Sequence, residues 1–289
     1  MAIVVNTNIA SLIAQRNLST NTSNLAKSIE RLSSGYRINN ASDDAAGLAI
    51  SENLTGQING NKQAISNVQD GINMLQIAES SLSVINDNIQ RIRELAVQAA
   101  NGTNGSTEKN AILSEINARL ADVNRIAKSS TFNNIGLLDG TASCVLQVGA
   151  GSELSTNTIA IQNNTLARAT VSSLGVDSTT SPNGLTLNTT GATWTGDNIR
   201  SYLDTIDKAL SDVSSRRSNI GAYQNRLQSA LDNLSATNEN LQAANSRIRD
   251  VDVAQETSNM TKYQVLQQAS VSVLSQANNL PSVALKLIG

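Results

Sequence analysis

Histidine is absent from the 289-residue chain, and cysteine occurs once, as Cys144. The first absence removes the commonest general base and the commonest metal ligand together. No His-based triad and no HExxH zinc site can be built. The lone cysteine cannot close a disulfide within the chain, so the redox compartment is not readable from it. Aromatic residues are scarce as well: one Phe, one Trp and four Tyr. Small apolar residues dispersed among Ser, Thr, Asn and Gln suit thin helical seams better than a thick sandwich core. A formal net charge of −2 offers no basic patch to nucleic acid. No stretch approaches the roughly 18 consecutive apolar residues of a membrane span, so membrane insertion is not expected. The opening MAIVVNTNIASLIAQR has no basic n-region and meets its first charge at Arg16, so no cleavable export signal is read there.

What is present is heptad spacing. Leu18, Leu25 and Leu32 recur at that interval, with Ile29 between them. The pattern breaks at RLSSGYRINNASDD, where Gly35 and the Asn, Ser and Asp cluster predict a turn. Ser42 or Asp43 is expected to cap the next helix, its acids favourably placed at the positive end. Spacing resumes through Leu54, Ile58, Ile65, Val68, Ile72, Leu75, Leu82 and Ile89. At about 1.5 Å per residue such a helix, over about 44–100, would run roughly 85 Å. NGTNGST interrupts it, and Ile112, Ile116, Leu120 and Val123 mark one face of a shorter helix.

A second series runs from Ile199 through Leu203, Ile206, Leu210, Val213, Ile220, Leu227, Leu231, Leu234 and Leu241 to Ile248. Arg217, Gln224, Asn238 and Asn245 occupy its other positions, where polar residues fix register at a cost in stability. A last segment carries Tyr263, Leu266, Val273, Ala277, Leu280, Ala284 and Leu287, with a kink expected at Pro281. Between the helical blocks, TFNNIGLLDG, ASCVLQVG and LTLNTT read as hairpins of a small β-rich cap. The predicted fold class is mainly α with a small β-rich insertion. Long antiparallel helices form a coiled-coil-like bundle, with the terminal helices paired and β-hairpins in the middle. The expected segments are 1–43, 44–140, 141–196, 197–250 and 251–289. An apolar stripe running to the last residue needs a partner, because narrow amphipathic helices are marginal in water and chain ends usually fray.

Residues with chemical potential have bland readings. Asp43–Asp44 is read as a helix cap before a carboxylate dyad, and Cys144 as a small buried hydrophobe. Sequons such as those at Asn21 and Asn101 are expected by chance in so Asn-, Ser- and Thr-rich a chain. Arg91 and Glu94, three apart in QRIRELAVQAANG, can pair on a solvated helical face. No enzyme activity and no cofactor are expected.

The stretches MAIVVNTNIASLIAQRNL, ERLSSGYRINNASDDAAGLAIS, QRIRELAVQAANG and SNMTKYQVLQQASVSVLSQANNLP together, and in this order, resemble bacterial flagellin. The resemblance implies an extracellular subunit that polymerises into the flagellar filament. Its terminal helices would form the innermost layer, the long helices the next, and the variable middle the outside. It also implies export through the flagellar channel without a cleaved signal, and ends that order on assembly. Expected partners are other copies of the chain, an export chaperone at about Ser258–Gly289, and hook-associated and cap proteins. Host toll-like receptor 5 is a further one. Gln90, Arg91, Glu94 and Leu95, with Glu115 on the next helix, stand at the receptor-binding positions the resemblance implies. There Arg91 would offer its guanidinium and Leu95 an apolar contact. Assembly is expected to rest on Ile9, Leu12, Ile13 and Leu18 at the start and Leu274, Leu280 and Leu287 at the end. Two features depart from the family: flagellins usually lack cysteine, and the middle is short, leaving no room for an enzymatic insertion. A hook–filament junction protein is the nearest alternative. A membrane-inserting translocator would need longer apolar spans.

Overall fold

In the computed structural model the described residues are 7–140, 144–161, 166, 168–176 and 196–288. Their helices are α1 (Ile9–Ser34), α2 (Ala45–Ala100), α3 (Ser106–Ser129), the single turn α4 (Leu154–Asn157), α5 (Gly196–Arg249) and α6 (Val253–Ile288). The strands are β1 (Thr131–Phe132), β2 (Ile135–Gly136), β3 (Cys144–Gln147) and β4 (Thr158–Ile161). The heptad blocks and their interruptions thus coincide with helices and turns, and α6 runs through Pro281. The LTLNTT segment lies outside the described residues.

The chain forms two compact units, one of residues 1–58 and 239–289, the other of 59–238. In the second, apolar positions of α2 (Val68, Leu75, Leu82, Ile85, Ile89, Ile92), α3 (Ile116, Val123) and α5 (Ile206, Val213, Ile220, Leu227) form one continuous core. Arg93 to Asp207 and Arg217 to Glu79 link α2 and α5 with falling against rising numbers, so the helices are antiparallel. Arg217, expected as a polar seam residue, is therefore matched by a carboxylate 2.9 Å away. Leu137, Leu138, Leu166, Val171 and Val176 of the middle region close the same core.

Asn133 and Asn134, both at positive φ (47° and 63°), make the two-residue turn between β1 and β2. Such a turn matches the twist of a hairpin. β3 pairs antiparallel with β4, Cys144 opposite Ile161. This second hairpin lies along α2, where Asn67 Nδ2 donates to the Gln147 carbonyl. A Cβ on Gly60 would come within 2.6 Å of that of Ala150, and one on Gly71 would collide with Leu146. These two glycines, about three helical turns apart on one face of α2, let the strand sit directly on the helix.

In the first unit, α1 ends at Gly35, whose left-handed backbone (φ 77°) sends its N–H back to the Arg31 carbonyl. The chain then forms a short antiparallel bridge between Tyr36 and Asp250. The Arg37 N–H donates to the Arg249 carbonyl and the Val251 N–H to the Gly35 carbonyl, while the Arg249 guanidinium lies 4.5 Å from the Tyr36 ring centre. The cap of α2 is one residue later than expected. Asp44 Oδ1 accepts from the Gly47 N–H, whereas Asp43 binds Lys27 at 2.6 Å and accepts from the Asn39 and Asn40 amides. Asp43 fastens the turn to α1, and its neighbour caps the next helix.

Candidate functional site

The α1–α6 pair is the first candidate surface. The helices run antiparallel and are joined largely by polar bonds. Asn8 Nδ2 donates to the Ala277 carbonyl, Ser11 Oγ to Asn278 Oδ1, Asn21 Nδ2 to Ser270 Oγ and Gln267 Nε2 to Thr22 Oγ1. Asn8 also caps α1, its Oδ1 accepting from the Ser11 N–H. What these helices bury is mostly small or polar: Ala14, Leu25 and Ser28 on α1, Glu256 and Ala277 on α6.

Many of their large apolar side chains point elsewhere. Ile9, Leu12 and Ile13 are 65%, 57% and 47% exposed, and Ile29, Val253, Val265, Val271 and Val273 are likewise exposed. Leu18 and Leu274 are half-buried. Leu280 and Leu287 lie within α6, but their side chains fall outside the described residues. Covering a half-exposed Leu or Ile is worth about 1 kcal/mol, so a ladder of them is a strong but unspent attraction. Ile9, Leu12 and Ile13, expected as assembly positions, are exposed in the free chain; Ile29, Val265 and Val271 are exposed too and were not among the positions expected.

The second candidate is a charged ridge on α2 and α3. Arg91 Nη1 lies 2.8 Å from Glu94 Oε2, and its Nε 3.5 Å from Glu115 Oε1. Arg119 adds contacts to Glu115 at 3.9 Å and to Asn88 Oδ1 at 3.2 Å. Glu94, then Glu115, hold the Arg91 guanidinium more firmly in its charged form. These pairs face solvent and add little to stability; what they fix is the position of the guanidinium. Gln90 is exposed beside them.

Leu95 is a correction. It was expected to offer an apolar contact outward, yet it is 2% exposed and belongs to the core. A single heptad seam leaves it outside, but α2 packs on both α3 and α5, which widens its buried face. Arg93, its neighbour, grips Asp207 through Nε at 2.6 Å and Nη2 at 3.4 Å, a cross-helix clasp the sequence did not reveal.

Cys144 is half-buried, and burial raises its thiol pKa, which disfavours the reactive thiolate. No group of three or more Cys, Asp or Glu among the described residues is placed to hold a metal ion, and no described helix is long and apolar enough to cross a membrane.

Comparison with known proteins agrees with this geometry. Residues 5–143 match the family described as bacterial flagellin N-terminal helical region, and residues 203–288 match the bacterial flagellin C-terminal helical region. The chain is similar to flagellin of Serratia marcescens, 40% identical over 350 residues, with 100% of both chains covered. It is similar to flagellin of Xenorhabdus nematophila at 42% over 315 residues, again with 100% of both covered. A solved structure of a putative flagellar hook-associated protein from Vibrio parahaemolyticus aligns with TM-score 0.59 and 14% identity, over 72% of this chain and 100% of that one. That last likeness shows the fold alone.

Proposed function

The chain belongs to the bacterial flagellin family, and on that premise we propose how its surfaces are used. The protein is a structural subunit of the extracellular flagellar filament, a homopolymer, and not an enzyme. In our reading, the apolar ladders of α1 and α6 are the assembly surface. Ile9, Leu12, Ile13 and Leu18 on one helix and Leu274, Leu280 and Leu287 on the other are covered by neighbouring copies. The observation that carries this reading is the exposure of Ile9, Leu12 and Ile13 in a pair whose own seam is filled by Ala14, Ser28 and Ala277. A contact between different faces of identical chains, when it does not close on itself, generates an open helix.

The same ladder on α6 suits an export chaperone, whose groove would cover residues from about Ser258 onward and delay assembly. Passage through the flagellar channel without signal cleavage, and contacts with hook-associated and cap proteins, belong to this proposal, as does the five-segment division of the subunit. Recognition by toll-like receptor 5 is proposed for the ridge of Gln90, Arg91, Glu94 and Glu115. Its fixed guanidinium offers a directional partner to a carboxylate or carbonyl. Leu95 serves there from beneath, by holding the ridge in place.

Electron microscopy of Leu280→Asp and Ile13→Asp tests the assembly reading. Both variants are expected to stay unpolymerised while the 59–238 unit remains folded; normal filaments from both would contradict it. A hook–filament junction protein would share the fold, but would not grow long filaments when purified alone.

A further inference from the structure

The turn between α2 and α3 carries chemistry that the packing of the core does not use. We propose that it is a site of spontaneous deamidation, with Asn101 converting first, through a cyclic imide, to aspartate and isoaspartate. The sequence contains Asn-Gly at 59–60, 101–102, 104–105 and 183–184, the last outside the described residues. In such a pair the glycine backbone nitrogen, having given its proton to hydroxide, attacks the asparagine Cγ. A C–N bond forms, the Cγ–Nδ2 bond breaks, and ammonia leaves after taking a proton from water. Water then opens the ring at either carbonyl, giving aspartate or an isoaspartate with one more methylene in the backbone. Glycine favours the attack because no Cβ restricts its approach.

The fold separates pairs that look alike in sequence. Asn59 and Asn101 are both exposed. Asn59–Gly60 lies inside α2, where the Gly60 amide is committed to the helical ladder and a helical backbone holds it away from the side chain. Asn101 follows the last residue of α2, and its Oδ1 accepts only a long bond, 3.4 Å, from the Thr103 N–H. Asn104 is intermediate in freedom, since its Nδ2, the nitrogen that would leave, donates to the Gln98 carbonyl at 2.6 Å. The expected order is therefore Asn101, then Asn104, then Asn59. The new charge arises just before α3, whose first turn already holds Glu108, and negative charge is favourable at that end of a helix. The product is thus compatible with the fold and accumulates in the folded protein.

Peptide mapping by mass spectrometry of the full chain, held under mildly alkaline conditions, tests the order. Conversion at Asn101 should run about tenfold ahead of Asn59, the factor that one hydrogen bond of ordinary net strength represents in a barrier. Isoaspartate should appear among the products. Gly102→Ala, at a position where an added Cβ meets nothing within 4 Å, should slow Asn101 and leave Asn104 unchanged, with circular dichroism checking the fold. The proposal is overturned if Asn59 keeps pace with Asn101, if isoaspartate is absent, if the turn does not convert, or if Gly102→Ala has no effect.

Discussion

The pair α1–α6 and the bundle of α2, α3 and α5 are made from nearly the same residue types, yet they use them in opposite ways. In the bundle, Leu75, Leu82, Ile85 and Ile92 are wholly buried within the chain. In the pair, Ile9, Leu12, Val265 and Val273 face outward, and hydrogen bonds from Asn8, Ser11, Asn21 and Gln267 set the helix register. A three-helix arrangement gives each apolar face a neighbour. A two-helix pair cannot, so amphipathicity alone does not say whether a stripe serves folding or association.

Truncation should separate the two regions most widely. Leu82→Ala in the bundle is expected to cost about 2–5 kcal/mol in thermal or urea unfolding, the usual loss for a buried leucine. Leu12→Ala should leave the free chain's unfolding almost unchanged while raising the concentration needed for polymerisation. Equal stability losses would erase the distinction.

Gly71→Val comes next. The added side chain must displace Leu146, so overpacking of about 1–3 kcal/mol is expected. Circular dichroism and unfolding should report it, and an unchanged midpoint would mean that the hairpin does not bear on α2.

A smaller effect is expected in the other unit from Asp43→Asn, about 1 kcal/mol, because Lys27 is partly exposed. Its pH dependence is the sharper readout. Lys27 first, then the Asn40 and Asn39 amides, lower the Asp43 pKa from 3.8 to about 2. A lowered carboxyl stabilises the fold above its free value and loses that contribution as pH falls toward the folded one. The gap between wild type and variant, measured by urea unfolding across a pH series, should be constant above about pH 5 and shrink as pH falls toward 2. A gap unchanged through that window would reject the Asp43 tether.

Tyr202→Phe is the smallest. The Tyr202 ring is buried, its hydroxyl has no hydrogen-bond partner among the described residues, and burial pushes the phenol pKa up. Removing an unpaired hydroxyl should leave stability unchanged or raise it by up to about 1 kcal/mol. A clear loss in thermal unfolding would show that the hydroxyl is satisfied.

Much of this was legible in the sequence, because heptad spacing reports helices directly and Gly, Asn and Asp clusters report their ends. Leu82, Ile116 and Ile220 were recognisable as core, and NGTNGST as a turn. β3 was legible as a β run in ASCVLQVG, but its partner β4 lay in none of the runs read as hairpins, and their seat on Gly60 and Gly71 was hidden, since a glycine in a helix reads as a defect until its neighbour is known. Leu95 was given an outward contact by resemblance alone; the core holds it because α2 packs on both α3 and α5, which neither resemblance nor periodicity counts. The Arg93–Asp207 clasp was hidden because pairing between distant helices depends on register, which charge alone does not set.

In the proposed assembly sister chains, rather than the chain's own interior, shield the apolar faces of α1 and α6. Thiol alkylation of Leu12→Cys, in a Cys144→Ser background, compares that face in the free chain and in the polymer. Fast labelling of the free chain and strong protection after assembly are expected. Equal reactivity in both states would contradict that assembly.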